Sequence, residues 1–184
     1  MAEGYNLERL SFLVVDDNKH MRTMVKSILY ALGCKNVLEC EDGSDAMQAL
    51  KSYPADIIIC DWVMAPIDGL DFTRMVRTSP DSPNPFAPII MLTGHSELAR
   101  VMEARDAGIN EFLTKPISAK KLYSRIRVII ERPRQFVRTA TYFGPDRRRI
   151  DDTTYNGPER RAENLEGGVD GQLSKEEVAA LLSD

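Results

Sequence analysis

The sequence predicts an α/β fold, a doubly wound parallel sheet of five strands built as (βα)₅. Five short apolar runs alternate with five stretches of helical spacing. The runs are continuous rather than alternating in polarity, which requires helices on both faces of the sheet. Polar residues able to do chemistry also fall just past the ends of these runs, where open α/β sheets place their ligands.

Each element is legible in turn. Phe12, Leu13, Val14 and Val15 form a buried strand. Met21, Met24, Val25, Ile28, Leu29 and Leu32 follow at helical spacing, and Gly33 suits the helix stop. Val37 and Leu38 make a short second strand, and a helix around residues 46–50 follows Ser44. Residues 56–61 are the most strand-like run in the chain. Leu70, Phe72, Met75 and Val76 mark a third helix, and the four prolines between Ser79 and Pro88 demand a loop. Ile89, Ile90, Met91 and Leu92 form the fourth strand, before a helix carrying Leu98, Val101 and Met102. Glu111, Phe112 and Leu113 form the last strand, and Leu122, Ile126, Ile129 and Ile130 line the last helix.

Composition excludes several classes. With 43% hydrophobic residues the chain suits a globular core, yet no apolar run approaches a membrane span. Residues 1–4 lack the pattern of a signal peptide. Cys34, Cys40 and Cys60 are odd in number and lie in or beside apolar stretches, as reduced cysteines of a cytoplasmic protein do. Their spacing lacks the close pairs of a zinc site. Charge divides the chain into three blocks: 1–131 is mildly acidic, 132–161 holds 8 Arg against 4 acids, and 162–184 holds 6 acids against one Lys. The expected organisation is a folded domain over 1–131, an Arg-rich tail over 132–165 and an acidic segment over 166–184.

Collecting the strand ends gives a site. The first strand ends in Asp16 and Asp17, the third in Asp61, the fourth in Thr93 and the fifth in Thr114 and Lys115. Three carboxylates together require a cation or a raised pKa. Hard oxygen ligands at this density suit Mg²⁺. Lys115 and the Thr93 hydroxyl can hold the oxygens of a phosphate, and a carboxylate so placed can attack it to form an acyl phosphate. Any one acid alone is as readily a helix cap. The convergence of Asp, Asp, Thr and Lys on one edge is what caps do not explain.

These residues carry a family resemblance. Asp16-Asp17-Asn18, Asp61-Trp62-Val63-Met64, Asp68-Gly69, Leu92-Thr93-Gly94 and Lys115-Pro116 resemble the receiver domain of two-component response regulators, close to the chemotaxis type. The resemblance covers about residues 8–131. It implies the strand order 2-1-3-4-5, a histidine kinase as phosphoryl donor, and Asp61 as phosphoacceptor. It implies Mg²⁺ held by Asp17, Asp61 and the Val63 carbonyl, with Asp16 assisting through water. Thr93 and Lys115 would contact the phosphoryl group, Thr93 and Phe112 would act as the switch, and Lys115-Pro116 would be cis. The protein would catalyse its own phosphorylation without being an ordinary turnover enzyme. Val63 and His95, by position, would set the lifetime of the phosphate. Met64-Ala65-Pro66 departs from the usual Met-Pro, and Phe112 replaces a tyrosine.

No helix-turn-helix pattern follows the domain, so DNA is not an expected partner. The output is expected to pass through protein contact with a flagellar motor or chemotaxis component, or through the tail. The tail repeats Thr-Tyr-x-Gly-Pro-acid-Arg-Arg at 141–148 and 154–161, thirteen residues apart. Gly-Pro is expected to turn the chain. Arg147, Arg148, Arg160 and Arg161 could bind a guanine nucleotide, cyclic di-GMP being the candidate, and such tails occur on similar receivers. Protein contact and a solvated linker are the alternatives. Ser174 and Glu177 form a capping box for a short helix over 174–183. This helix is expected to dock on a face including Val101, Arg105, Ile109, Phe112 and Arg125.

Overall fold

A computed structural model describes residues 5–94 and 98–147. The expected tail helix, the second repeat, Arg148 and His95 lie outside the described residues. The sheet is formed by β1 (Ser11–Val15), β2 (Asn36–Cys40), β3 (Ile57–Asp61), β4 (Ile89–Thr93) and β5 (Glu111–Thr114). All pairings are parallel, in the order β2-β1-β3-β4-β5. The helices are α1 (Lys19–Ala31), α2 (Gly43–Leu50), α3 (Gly69–Thr78), α4 (Leu98–Ala107) and α5 (Ala119–Glu131).

Strand periodicity splits the core in two. Leu13, Val15, Ile58, Cys60, Ile89 and Met91 point to the face covered by Ala46, Leu50, Phe72, Val76, Val101 and Ala104, from α2, α3 and α4. Their strand neighbours Phe12, Val14, Ile57, Ile59, Ile90 and Leu92 meet Val25, Leu29, Leu122 and Ile126, from α1 and α5. Every residue of the central strands β3 and β4 is buried, which is why their sequences show no polar alternation.

Short polar side chains start the helices. Asn18 accepts from the backbone N–H of His20 and Met21, and Asp68 accepts from that of Asp71. The cap of α2 is Asp42, two residues before the Ser44 expected to precede that helix, and Gly43 opens it. Asp56 stays out of β3 because its carboxylate accepts from the Ser11 N–H at 2.8 Å. Lys115–Pro116 is cis, as expected, and Ala65–Pro66 is also cis.

The tail departs most from expectation. It turns back as a hairpin, β6 (Phe136–Arg138) with β7 (Phe143–Pro145), and packs on the end of the sheet remote from the strand tips. Gly144 and Pro145 lie in a strand, not in a turn. A two-stranded ribbon is all edge, so a proline lacking an N–H is tolerated at its last pair, Phe136 with Pro145. Phe136 and Phe143 stack edge-on against Phe86 at 5.2 and 5.3 Å. The proline-rich loop at 79–88 therefore supplies a landing place for the hairpin.

Three residues of the expected docking face are part of the core. Val101 is fully buried, and Ile109 and Phe112 are each 2% exposed. Arg125 faces the buried carboxylate of Glu111, the two charged groups 3.6 Å apart. A tail helix would find no apolar surface at those positions. Phe112 already points inward, so as a switch residue it occupies the inward arrangement here.

Candidate phosphoacceptor site

Two adjacent parallel strands, β1 and β3, end side by side and present their acids together. Asp16 follows β1, whose Val15 pairs with Cys60, the residue before Asp61. The two acids thus lie at the same level of the sheet. Carboxylate oxygens of Asp16, Asp17 and Asp61 fall within 4.8 Å of one another. Asp16 is 1% and Asp61 6% exposed, whereas Asp17 faces solvent.

Lys115, just past β5, is held over the acids because its N–H donates to the Thr93 carbonyl at 2.8 Å. Its Nζ is 2.8 Å from Asp61 Oδ1 and 3.9 Å from Asp16 Oδ2. Thr93 ends β4, level with Thr114, and is fully buried. Val63, two residues beyond Asp61, is 58% exposed on the rim.

The electrostatics are unbalanced in one direction. One ammonium faces three carboxylates. Burial pushes the Asp16 carboxyl above its ordinary value, and the charge of Asp61 adds to this against the Asn18 N–H and Lys115. Asp16 Oδ2 is buried without a hydrogen-bond partner. A buried, unsatisfied carboxylate oxygen beside two more acids is a donor set suited to a hard divalent cation, and the residues present fit Mg²⁺.

A residue not anticipated from the sequence holds the acidic loop. Arg22 of α1 is 5% exposed. Its Nη1 donates to the carbonyls of Asp16 at 2.7 Å and Asp17 at 3.3 Å, and its Nη2 pairs with Glu41 at 2.7 Å. Arg22 lies on the inner stripe of α1 with Val25 and Leu29, and that spacing was the available signal. Outer partners of this kind typically change metal affinity by about 10- to 100-fold when lost. Arg22→Gln is therefore expected to weaken Mg²⁺ binding by at least about tenfold, measurable as Trp62 fluorescence against Mg²⁺ concentration. Unchanged affinity would mean that Arg22 only packs.

Of the tail arginines expected to bind a ligand, the one described, Arg147, does not join this site. Arg147 lies beyond β7, its guanidinium 4.0 Å from the Tyr142 ring and 3.4 Å from the Asp106 carboxylate. Arg148, Arg160 and Arg161 fall outside the described residues.

Comparisons with known proteins agree with the fold. The family model "Response regulator receiver domain" matches residues 12–127. Chemotaxis protein CheY of Pseudomonas aeruginosa is 35% identical over 123 residues, which span 67% of this chain and 98% of that protein. CheY-3 of Vibrio cholerae is 33% identical over 68% of this chain and 95% of its own length. Among solved structures, V. cholerae CheY4 superposes with a TM-score of 0.59 at 29% identity, covering 64% of this chain and 96% of its own. The receiver domain of the P. aeruginosa sensor histidine kinase PA1611, solved with magnesium coordinated in its active-site cleft, gives 0.57 at 28% identity, covering 65% of this chain and 94% of its own. The chain belongs to the response regulator receiver domain family.

Proposed function

We propose that the protein is a two-component signalling module that accepts a phosphoryl group on Asp61 in a Mg²⁺-dependent reaction. The observation that carries this reading is the Asp61 carboxylate, buried among two further acids and held at 2.8 Å by Lys115. A histidine kinase is the natural donor. An Asp61 oxygen attacks phosphorus as the N–P bond to the kinase histidine breaks, and the leaving imidazole departs neutral once protonated. Lys115 neutralises part of the charge on the transferred group and keeps the nucleophile aimed. Thr93, which ends β4, supplies a hydroxyl for another phosphoryl oxygen. Mg²⁺ would be held by Asp17, Asp61 and the Val63 carbonyl, with Asp16 assisting through water, and would supply the remaining countercharge. The protein acts on itself and passes the signal by contact, a chemotaxis component being the kind of output partner the relatives' names suggest.

Beryllofluoride, a phosphoryl mimic, tests this. With Mg²⁺ it is expected to change Trp62 fluorescence in the wild type and to leave Asp61→Asn unchanged. A response retained in Asp61→Asn would remove Asp61 from the role.

Val63 bears on how long the phosphate lasts. Its exposed isopropyl group cannot orient a water. The acyl phosphate of the wild type is expected to decay more slowly than that of Val63→Asn, followed by phosphate release after acetyl phosphate is removed. Equal or faster decay in the wild type would contradict this.

A further inference from the structure

The first tail repeat reads one corner of the receiver, and each of its characteristic residues has a place there. Tyr142 is 8% exposed, and its hydroxyl donates to the Pro145 carbonyl at 2.7 Å. A Cβ on Gly144 would lie 2.5 Å from that hydroxyl and 2.9 Å from the Gly108 Cα, so only glycine lets β7 cross the ring and the corner together. Arg147 covers the other side of the tyrosine and pairs with Asp106. Tyrosine, glycine, proline and arginine thus form a single module on the corner between α4 and β5, at residues 106–108. A separate aromatic part of the dock, Phe136 and Phe143 on Phe86, lies beside it.

The second repeat keeps the first part and drops the other. Tyr155, Gly157, Pro158 and Arg160 stand thirteen residues after Tyr142, Gly144, Pro145 and Arg147. The positions matching Phe136 and Phe143 hold Arg149 and Asn156, which cannot stack as rings on Phe86. The sequence therefore carries two copies of the motif for one corner, and the first copy holds it together with the ring contact on Phe86. A second copy of this chain is no better a host, since its own first repeat fills its corner. Receivers without such a tail exist: CheY of P. aeruginosa is matched over 98% of its length by about two-thirds of this chain.

We propose that residues 154–161 are a docking motif for the α4–β5 corner of another, tail-free receiver domain. The site it would take is an acid followed two positions later by a glycine, as Asp106 is followed by Gly108. The arginine would pair with the acid while the tyrosine and glycine lie over the glycine backbone. The missing rings make the contact weaker than the one within the chain, which suits a transient partner. The proposal is independent of whether Asp61 is phosphorylated.

The test is an NMR titration with the full-length chain as donor. One receptor is an isotope-labelled stand-alone chemotaxis receiver chosen for the acid-x-Gly corner. The other is this full chain, labelled and carrying Phe136→Ala, Tyr142→Ala, Phe143→Ala, Arg147→Ala, Tyr155→Ala and Arg160→Ala, so that both parts of its dock are released and its corner is open. Saturable shifts are expected at the corner acid and glycine amides of both receptors, and their loss when the donor carries Tyr155→Ala and Arg160→Ala. Should this variant fail to fold, the stand-alone receiver decides alone. Absence of corner shifts in every folded receptor overturns the proposal. So does binding that survives the donor substitutions, which would assign the contact to another segment.

Discussion

Gly69→Ala is expected to cost about 3 kcal/mol of stability and to cut phosphoryl uptake by about a hundredfold or more. Gly69 opens α3 directly behind the Asp68 cap, and its N–H donates to the Trp62 carbonyl at 2.9 Å. A Cβ there would overlap the backbone carbonyl oxygen of Asp61 and would meet Met91 Sδ at 3.0 Å. Met91 can shift, but the Asp61 carbonyl belongs to a central strand paired on both sides. The methyl therefore displaces either the start of α3 or the phosphoacceptor. Overpacking costs about 1–3 kcal/mol, and a backbone obstacle places this case at the upper end. For a chain of this size that corresponds to a fall in Tm of about 10 °C. Misplacing a reacting group by about 1 Å costs about a hundredfold in rate. Gly94→Ala is the steric control, because no atom of the described residues lies within 4 Å of its added Cβ. Thermal melts of both variants, with beryllofluoride titrations, check the pair. Equal, small losses in both would show that the approach of Gly69 to Asp61 is not restrictive.

The fold was legible because parallel strands buried on both faces leave continuous apolar runs, and β3 and β4 do so without interruption. The site was legible for a related reason. In a parallel sheet all strand ends of one kind share an edge, so Asp16, Asp61, Thr93 and Lys115 could be collected without knowing a single distance. Helix starts were less clear, since Asp42 and Ser44 are both good caps and only the backbone decides between them. What stayed hidden was carried by charged residues that are buried. Arg22 and Arg77 read as surface residues because an unpaired guanidinium is costly to bury, and their compensation comes from carbonyls contributed by loops distant in sequence. The tail hairpin was hidden as well. Three-residue strands leave little periodicity, and Phe86, its main contact, lies in a loop that sequence alone marks only as irregular.

Arg77→Ala is expected to be among the most destabilising single changes, at about 3–5 kcal/mol. Arg77 lies at the end of α3, 3% exposed, with no carboxylate beside it among the described residues. Instead its Nε donates to the Gly108 carbonyl at 3.0 Å and its Nη1 to those of Pro85 and Ala87, each at 2.9 Å. Its Nη2 donates to Asn110 Oδ1 at 3.1 Å, and the guanidinium lies 5.1 Å from the Phe136 ring. One side chain thus ties α3, the proline-rich loop, the α4–β5 corner and the tail hairpin. Burial lowers its pKa to about 10, which still leaves it charged at neutral pH. Its folded and unfolded forms are both protonated well below that value, so its contribution should be flat from about pH 5 to 9. Truncation leaves several acceptors unsatisfied at about 1–3 kcal/mol each and opens a cavity, with partial relief from entering water. Arg77→Lys should recover only part of the loss, because a single ammonium cannot reach acceptors spread around a planar fork. Urea melts at two pH values in that window, with Phe136 and Phe143 ring signals followed by NMR, read both effects. A small, pH-dependent loss with the ring stack intact would show that Arg77 is not the tie between the receiver and its hairpin.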